Sequence, residues 1–350
     1  MTEKNRFVTL VTFCTLTALV TSQTCPPTED VAPCTCKVSR KGTVLVECVN
    51  INSEEILTRA VQALKGYEIA YFKLVKSNLS SLPSGLFDGT KINRIEILSS
   101  VLNDLGPKDS DASPFIGLED SLTELVIFSP MKSVKKWNWK HLSPLTKMKR
   151  LLINRCHNTL KVETELSYVT NSSVTWFQFS TCCITEVRPG ALDAYQNLET
   201  LDLMGNRLSR LRRATLPKTA PNLKKLELSR NMISIIDVDT FTNLPALKEI
   251  YLESNDIAYI YEDVFGGIWN QLELLDLKDN NIICDINLAW IVGQQMIYDS
   301  ADQVPLQCGY PSTMTGRSIK TLTKEELRAV GVVQRPVGRN KKDNFCIDTE

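Results

Sequence analysis

The chain has 350 residues, 43% of them hydrophobic, which is enough to bury a substantial core and too apolar for a disordered or collagen-like polymer. Lysine plus arginine equal aspartate plus glutamate at 40 each, so no whole-chain field draws the protein to nucleic acid or to an anionic membrane. Charge-based recognition has to be local.

At the N-terminus Lys4 and Arg6 precede an apolar run from Phe7 to Val20 and a small-residue site at Val20 and Ser22. This is the pattern of a secretory signal peptide, 1–22. The run is shorter than the roughly 20 apolar residues that cross a bilayer, and no second run of that length follows. A soluble extracellular protein without a direct membrane span is therefore expected. Losing the leader removes Cys14 and leaves ten cysteines, an even number that favours disulfides outside the cell. Zinc does not suit the spacing Cys25-x8-Cys34-x-Cys36-x11-Cys48, and the only histidines are His141 and His157. Neither a metal nor a cofactor is expected.

From Ile69 to Ile282 one pattern recurs nine times: apolar-x-x-apolar-x-apolar-x-x-(Asn or substitute)-x-apolar. The clearest copies are Leu198-Leu201-Leu203-Asn206-Leu208, Leu223-Leu226-Leu228-Asn231-Ile233, Leu247-Ile250-Leu252-Asn255-Ile257 and Leu272-Leu275-Leu277-Asn280-Ile282. Earlier copies start at Ile69, Ile92, Leu122, Met148 and Val174, with Ser77, Ser100, Pro130, Cys156 and Cys182 in the asparagine position. A helix would not restart in the same phase nine times. Alternation across Leu201 and Leu203 is a short strand that cannot bury its inner face alone, so the repeats stack in parallel. The expected fold is an α/β leucine-rich-repeat horseshoe with a concave parallel sheet, repeats over 67–283 and caps over 23–66 and 284–350. Asparagine after each strand should bond backbone groups that the bend leaves unpaired, a task serine or cysteine is expected to perform only weakly. Phe87, Leu192, Leu216, Phe241 and Phe265, thirteen residues beyond the last strand position, should fill the core behind the sheet. The 30-residue interval between Ile92 and Leu122 holds an insertion punctuated by Gly106, Pro107 and Pro114.

Side chains alternate across a strand, so the residues between the repeated apolar positions face the concavity. The central row reads Lys73, Glu96, Val126, Leu152, Gln178, Asp202, Glu227, Tyr251 and Asp276. Leu98, Phe128 and Trp176 join Val126 and Leu152 in an apolar patch that suits a protein partner, with Tyr251 as a further contact. The competing reading is that the insertion folds over this patch. The acids Asp202, Glu227, Glu253 and Asp276 read as a solvated face. The basic run Arg207, Arg210, Arg212, Arg213, Lys218, Lys224 and Lys225 would suit an anionic glycan, but the repeat geometry scatters it. Asn78 and Asn171 head glycosylation sequons.

The cysteine clusters flanking the repeats resemble the caps of extracellular leucine-rich-repeat proteins. That resemblance implies Cys25–Cys36 and Cys34–Cys48, where spacing alone leaves three pairings open. It also implies Cys284–Cys308, although Ile286 stands where the family has a further cysteine, leaving Cys346 without its usual partner. Cys25-Pro26-Pro27, a short helix over Ser53 to Leu64, Gly117-Leu118-Glu119-Asp120-Ser121-Leu122, Trp137-Asn138-Trp139 and Trp269-Asn270-Gln271-Leu272 resemble arthropod secreted repeat proteins named after the oplophorus-luciferin 2-monooxygenase non-catalytic subunit. The name implies a non-enzymatic companion, not light emission. Cys156 and Cys182 share the turn position of adjacent repeats and are within disulfide reach, but reduced thiols there are a tolerated substitute in the family and are the favoured reading. Cys183 would then face outward, with Cys346 a distant partner.

No nucleophile elbow, phosphate loop or metal set is present; a cleft joining Cys183 to His157 would be the one foothold for catalysis. The expected function is a secreted, non-enzymatic scaffold or companion subunit that binds an extracellular protein on its concave face. The alternatives are a structural matrix protein and an ectodomain-like co-receptor.

Overall fold

The computed structural model describes residues 24–110, 112–128, 137–156, 162–168, 173–294 and 306–334. The leader, Pro130, His157, Asn171 and Cys346 lie outside them. Among the described residues one sheet of eleven strands runs the length of the molecule. We number these strands in chain order: β1 Thr35–Val38, β2 Val44–Val49, β3 Glu68–Val75, β4 Lys91–Leu98, β5 Glu124–Phe128, β6 Arg150–Asn154, β7 Trp176–Ser180, β8 Thr200–Asp202, β9 Lys225–Glu227, β10 Glu249–Tyr251 and β11 Leu274–Asp276. The first pair is antiparallel and every later pair parallel, one strand per repeat. The fold is a leucine-rich-repeat solenoid.

The inward residue of each strand from β2 onward, from Val46 and Phe72 through Leu201 to Leu275, is at most 1% exposed. Behind them Phe87, Leu192, Leu216, Phe241 and Phe265 are buried as the thirteen-residue spacing requires.

The asparagines form a ladder. Each amide Nδ2 donates to the carbonyl three residues before it and to the equivalent carbonyl one repeat earlier, as Asn255 does to Leu252 and Leu228 at 3.0 Å each. Each Oδ1 accepts a backbone amide of the preceding repeat: Leu208 N on Asn231, Ile233 N on Asn255 and Ile257 N on Asn280. Upstream serine takes this place with one hydroxyl instead of an amide. Ser100 Oγ accepts from Ser77 N and bonds the Leu74 and Leu98 carbonyls, and Ser77 Oγ accepts from Ile51 N. The shorter side chain reaches the amide at the turn position itself, whereas Asn231, Asn255 and Asn280 reach two residues further. Among the described residues each such turn is entered through a left-handed residue just before this position: Lys76, Ser99, Arg155, Thr181, Arg230, Ser254 and Asp279, with glycine at Gly205.

The disulfides join Cys25 to Cys36, Cys34 to Cys48, Cys156 to Cys182 and Cys284 to Cys308. The favoured thiol reading of Cys156 and Cys182 is therefore wrong. They face each other across adjacent turns, with Cα atoms 4.2 Å apart, where an asparagine rung would otherwise be. Cys183 is also disulfide-bonded, and at 3% exposure it is buried instead of facing outward. In the N-terminal cap Ser53 Oγ accepts from Ile56 N and starts the helix Glu54–Gln62, which buries Leu57, Ala60 and Val61 against the first repeat. At the other end the helix Lys324–Val330 opens with a Thr323–Glu326 capping box.

Candidate functional site: the concave face

The parallel register settles which side chains are neighbours. Tyr71, Arg94, Glu124, Arg150, Trp176, Thr200, Lys225, Glu249 and Leu274 form one row across the sheet. Lys73, Glu96, Val126, Leu152, Gln178, Asp202, Glu227, Tyr251 and Asp276 form the next, in the order read from the sequence. Leu98, Phe128, Asn154 and Ser180 lie in the third. Leu98, Phe128, Val126 and Leu152 thus form one cluster over β4, β5 and β6, and Trp176 borders it on β7. Tyr251 lies three strands beyond Trp176, apart from the others. All six are half-buried.

The described residues of the insertion are tied to the opposite side of the repeats. On that returning arc Ser113 Oγ donates to the His141 carbonyl, while Gly85 N and Phe87 N donate to the carbonyls of Ser113 and Pro114.

Sequence reasoning missed the charged frame around the patch. Glu96 accepts from Lys73 Nζ at 2.9 Å and from Arg94 Nε at 2.7 Å, and Glu124 bridges Arg94 to Arg150. Arg150 lies over the Trp176 ring, 4.2 Å from its centroid, and Arg155 lies 4.8 Å from that of Phe128. Arg94 similarly sits over Tyr71, and Lys225 over Tyr251. These cations stand next to aromatic positions on the sheet, and only the register makes that visible: Arg150 and Trp176 are direct strand partners.

The acidic half has a different logic. Asp202 accepts from Met204 N, Glu227 from Ser229 N and Asp276 from Lys278 N, each two residues ahead. Burial raises the Asp202 and Glu227 carboxyls above their ordinary range despite those bonds, with the Asp202 charge adding to the rise at Glu227. Burial also pushes the Tyr251 hydroxyl up to about 12, helped by its hydrogen bond to Glu249.

The basic run does not form one surface. Arg210 pairs with Asp237, Lys224 with Glu199 and Lys225 with Glu249, while Arg213 donates to the carbonyls of Pro217, Lys218 and Thr242. Of the sequons, Asn78 is exposed in the short strand Asn78–Leu79. The suggested thiol nucleophile, Cys183, is consumed in a disulfide. Among the described residues no group of three or more His, Cys, Asp or Glu is placed to hold a metal, and no helix is long and apolar enough to cross a membrane.

Comparison with known proteins agrees with this geometry. A leucine rich repeat model matches residues 196–257 and 221–282, the regular repeats. The chain is 22% identical over 321 residues to the oplophorus-luciferin 2-monooxygenase non-catalytic subunit of Oplophorus gracilirostris, covering 85% of this chain and 86% of that protein. It is 33% identical to mouse Toll-like receptor 9 over 134 residues, which is 37% of this chain and only 13% of the receptor. The structure of human trophoblast glycoprotein superposes with a TM-score of 0.53 at 16% identity, over 83% of this chain and 97% of that one, a likeness of fold. Repeat phase, stacked register and disulfide-bonded ends, together with these likenesses, make the chain a leucine-rich-repeat protein with disulfide caps.

Proposed function

We propose that the protein is a secreted, non-enzymatic scaffold or companion subunit that binds an extracellular protein on the N-terminal half of its concave face. Leu98, Val126, Phe128 and Leu152 form the apolar centre of the interface, and Trp176 is the anchor at its edge. One observation carries this reading: the fold accounts for the acidic half of the central row but not for the apolar half. Asp202, Glu227 and Asp276 each hold a turn amide. Val126 and Leu152 have no acceptor to offer, yet they occupy the same row and are only half-buried. Apolar side chains grouped on an open surface are the usual mark of a protein interface. The rim of Arg94, Arg150 and Arg155 suits a partner that brings carboxylates around an apolar centre. Tyr251 is a secondary contact. Four disulfides and the exposed Asn78 sequon suit an extracellular glycoprotein.

The oplophorus likeness favours a companion subunit over a matrix component, since it extends over most of both chains. The test is affinity capture from the extracellular fluid of the source tissue. The unmodified protein is compared with Phe128→Ala/Trp176→Ala and with Val238→Ala, which changes an exposed residue of the returning arc. The unmodified chain and the Val238 variant should recover the same partner, and the double variant should lose it. Equal recovery by all three, with the fold intact by circular dichroism, would overturn the assignment.

A further inference from the structure

The parallel register extends the third concave row toward the N-terminal cap. In β2, β3, β4 and β5 its residues are Val49, Val75, Leu98 and Phe128, each the direct strand partner of the next. Val49 is 40% exposed and the other three are half-buried. The apolar run is bounded at both ends. Asn154 and Ser180 occupy the row in β6 and β7, and β1 pairs with β2 only from Val44 to Glu47. The backbone below the run is held in place, because the amides of Asn50, Lys76 and Ser99 donate to the carbonyls of Val75, Leu98 and Phe128 on the following strand.

Ionic groups line this row on both sides. On the central row Glu47, Lys73 and Glu96 stand where Val126 and Leu152 stand further along, and Lys73 is bound to Glu96. On the turn side Lys76 and Arg155 are exposed, and the Arg155 guanidinium lies 4.8 Å from the centroid of the Phe128 ring. Among the described residues Lys73, Arg94 and Arg150 share the carboxylates of Glu96 and Glu124, whereas Lys76 and Arg155 enter no ion pair.

A ridge one residue wide, flanked by charge, selects the shape of what it can hold. Neighbouring strands lie about 4.8 Å apart, so the four residues span roughly 14 Å. A helix laid across the strands repeats one face at every turn of about 5.4 Å, and a tilt of roughly 27° brings turns and strands into step. An extended segment repeats its face at about 6.7 Å and falls out of step by about 2 Å at each strand.

We propose that this row receives an acidic amphipathic α-helix of the partner, about three turns long. Its apolar residues, at i, i+4, i+7 and i+11, meet Val49, Val75, Leu98 and Phe128, and its carboxylates meet Lys76 and Arg155. The proposal rests on the concave-face reading and extends that interface to the N-terminal cap.

The probe is a synthetic fluorescent helix with leucine at those four positions and glutamate beside them, titrated onto the full secreted protein by fluorescence anisotropy. One control has the same composition with leucine at alternate positions, and a second carries lysine in place of glutamate. The acidic helix should bind at least about ten-fold more tightly than either, and Val49→Asp/Val75→Asp should weaken it by a similar factor. Lys76→Glu/Arg155→Glu should reverse the preference in favour of the lysine helix. If circular dichroism shows that the aspartate pair disturbs the fold, Val49→Thr/Val75→Thr keeps the β-branched side chains and should still weaken binding. Equal affinity for the helical and alternating peptides, indifference to Val49 and Val75, or no binding of the acidic helix would overturn the proposal. In the affinity capture, loss of the partner by the Phe128/Trp176 variant with retention by the Val49/Val75 variant would overturn the helix row and leave the concave-face reading standing.

Discussion

Replacing Asn255 by alanine tests the physical basis of the solenoid. Asn255 is fully buried, its Oδ1 accepts from Ile233 N at 3.0 Å, and its Nδ2 donates at 3.0 Å to the carbonyls of Leu228 and Leu252. Alanine leaves an amide and two carbonyls with fewer partners in a dry turn. Each buried group deprived of its partner costs roughly 1–3 kcal/mol, and because carbonyls keep a second acceptor site the sum should fall near 3–5 kcal/mol. Asn255→Ser should cost about half as much, because Ser77 and Ser100 show that a hydroxyl in this position still bonds an amide and a carbonyl. Urea unfolding gives the free energies. Hydrogen exchange at Ile233 localises the defect, which matters because repeat proteins need not unfold in one step. A loss under about 1 kcal/mol for alanine, or identical losses for alanine and serine, would refute the claim that the amide ladder carries the turns.

Two further perturbations follow. Changing Cys156 and Cys182 together to serine opens a loop whose ends are 26 residues apart, which by chain entropy should cost about 3–4 kcal/mol in thermal or urea unfolding; a neutral result would mean the bond merely fills a rung. Asp202 and Glu227 have folded pKa values raised by burial, so their contribution to stability is fully present below the unfolded carboxylate range and is lost as pH rises through the folded values. Asp202→Asn/Glu227→Gln should therefore raise the melting temperature more at pH 7 than at pH 4 relative to the unmodified protein, and a pH-independent difference would contradict the desolvation argument.

The repeat phase was legible because leucine spacing, strand alternation and the asparagine recur together, and the central concave row read from that spacing is the row the register produces. What the sequence hid depends on distances between repeats. Arg150 and Trp176 are 26 residues apart and become a stacked pair only once their strands are in register. The bond between Cys156 and Cys182 was misread because a buried cysteine is chemically compatible with either state, and only the facing geometry of adjacent turns decides it.

Strand length separates the two halves of the concave face. Strands β8, β9 and β11 stop after three residues, where the carboxylates of Asp202, Glu227 and Asp276 take up the amide two positions on. Tyr251 ends an equally short strand between two such neighbours. In β5, β6 and β7 the central residue is Val126, Leu152 or Gln178, and the strands run two residues further, pairing Phe128 with Asn154 and Asn154 with Ser180. Ladder hydrogen bonds there replace the side-chain caps. With the ladder supplying those bonds, the central position is released from a polar role and can be apolar without an unpaired amide beneath it. The same lengthening brings Phe128 onto the sheet beside Leu98. The longer strands β5 and β6 therefore satisfy the backbone while carrying apolar residues at the central position, which is why the proposed interface lies there and not on the repeats of Asp202, Glu227 and Asp276.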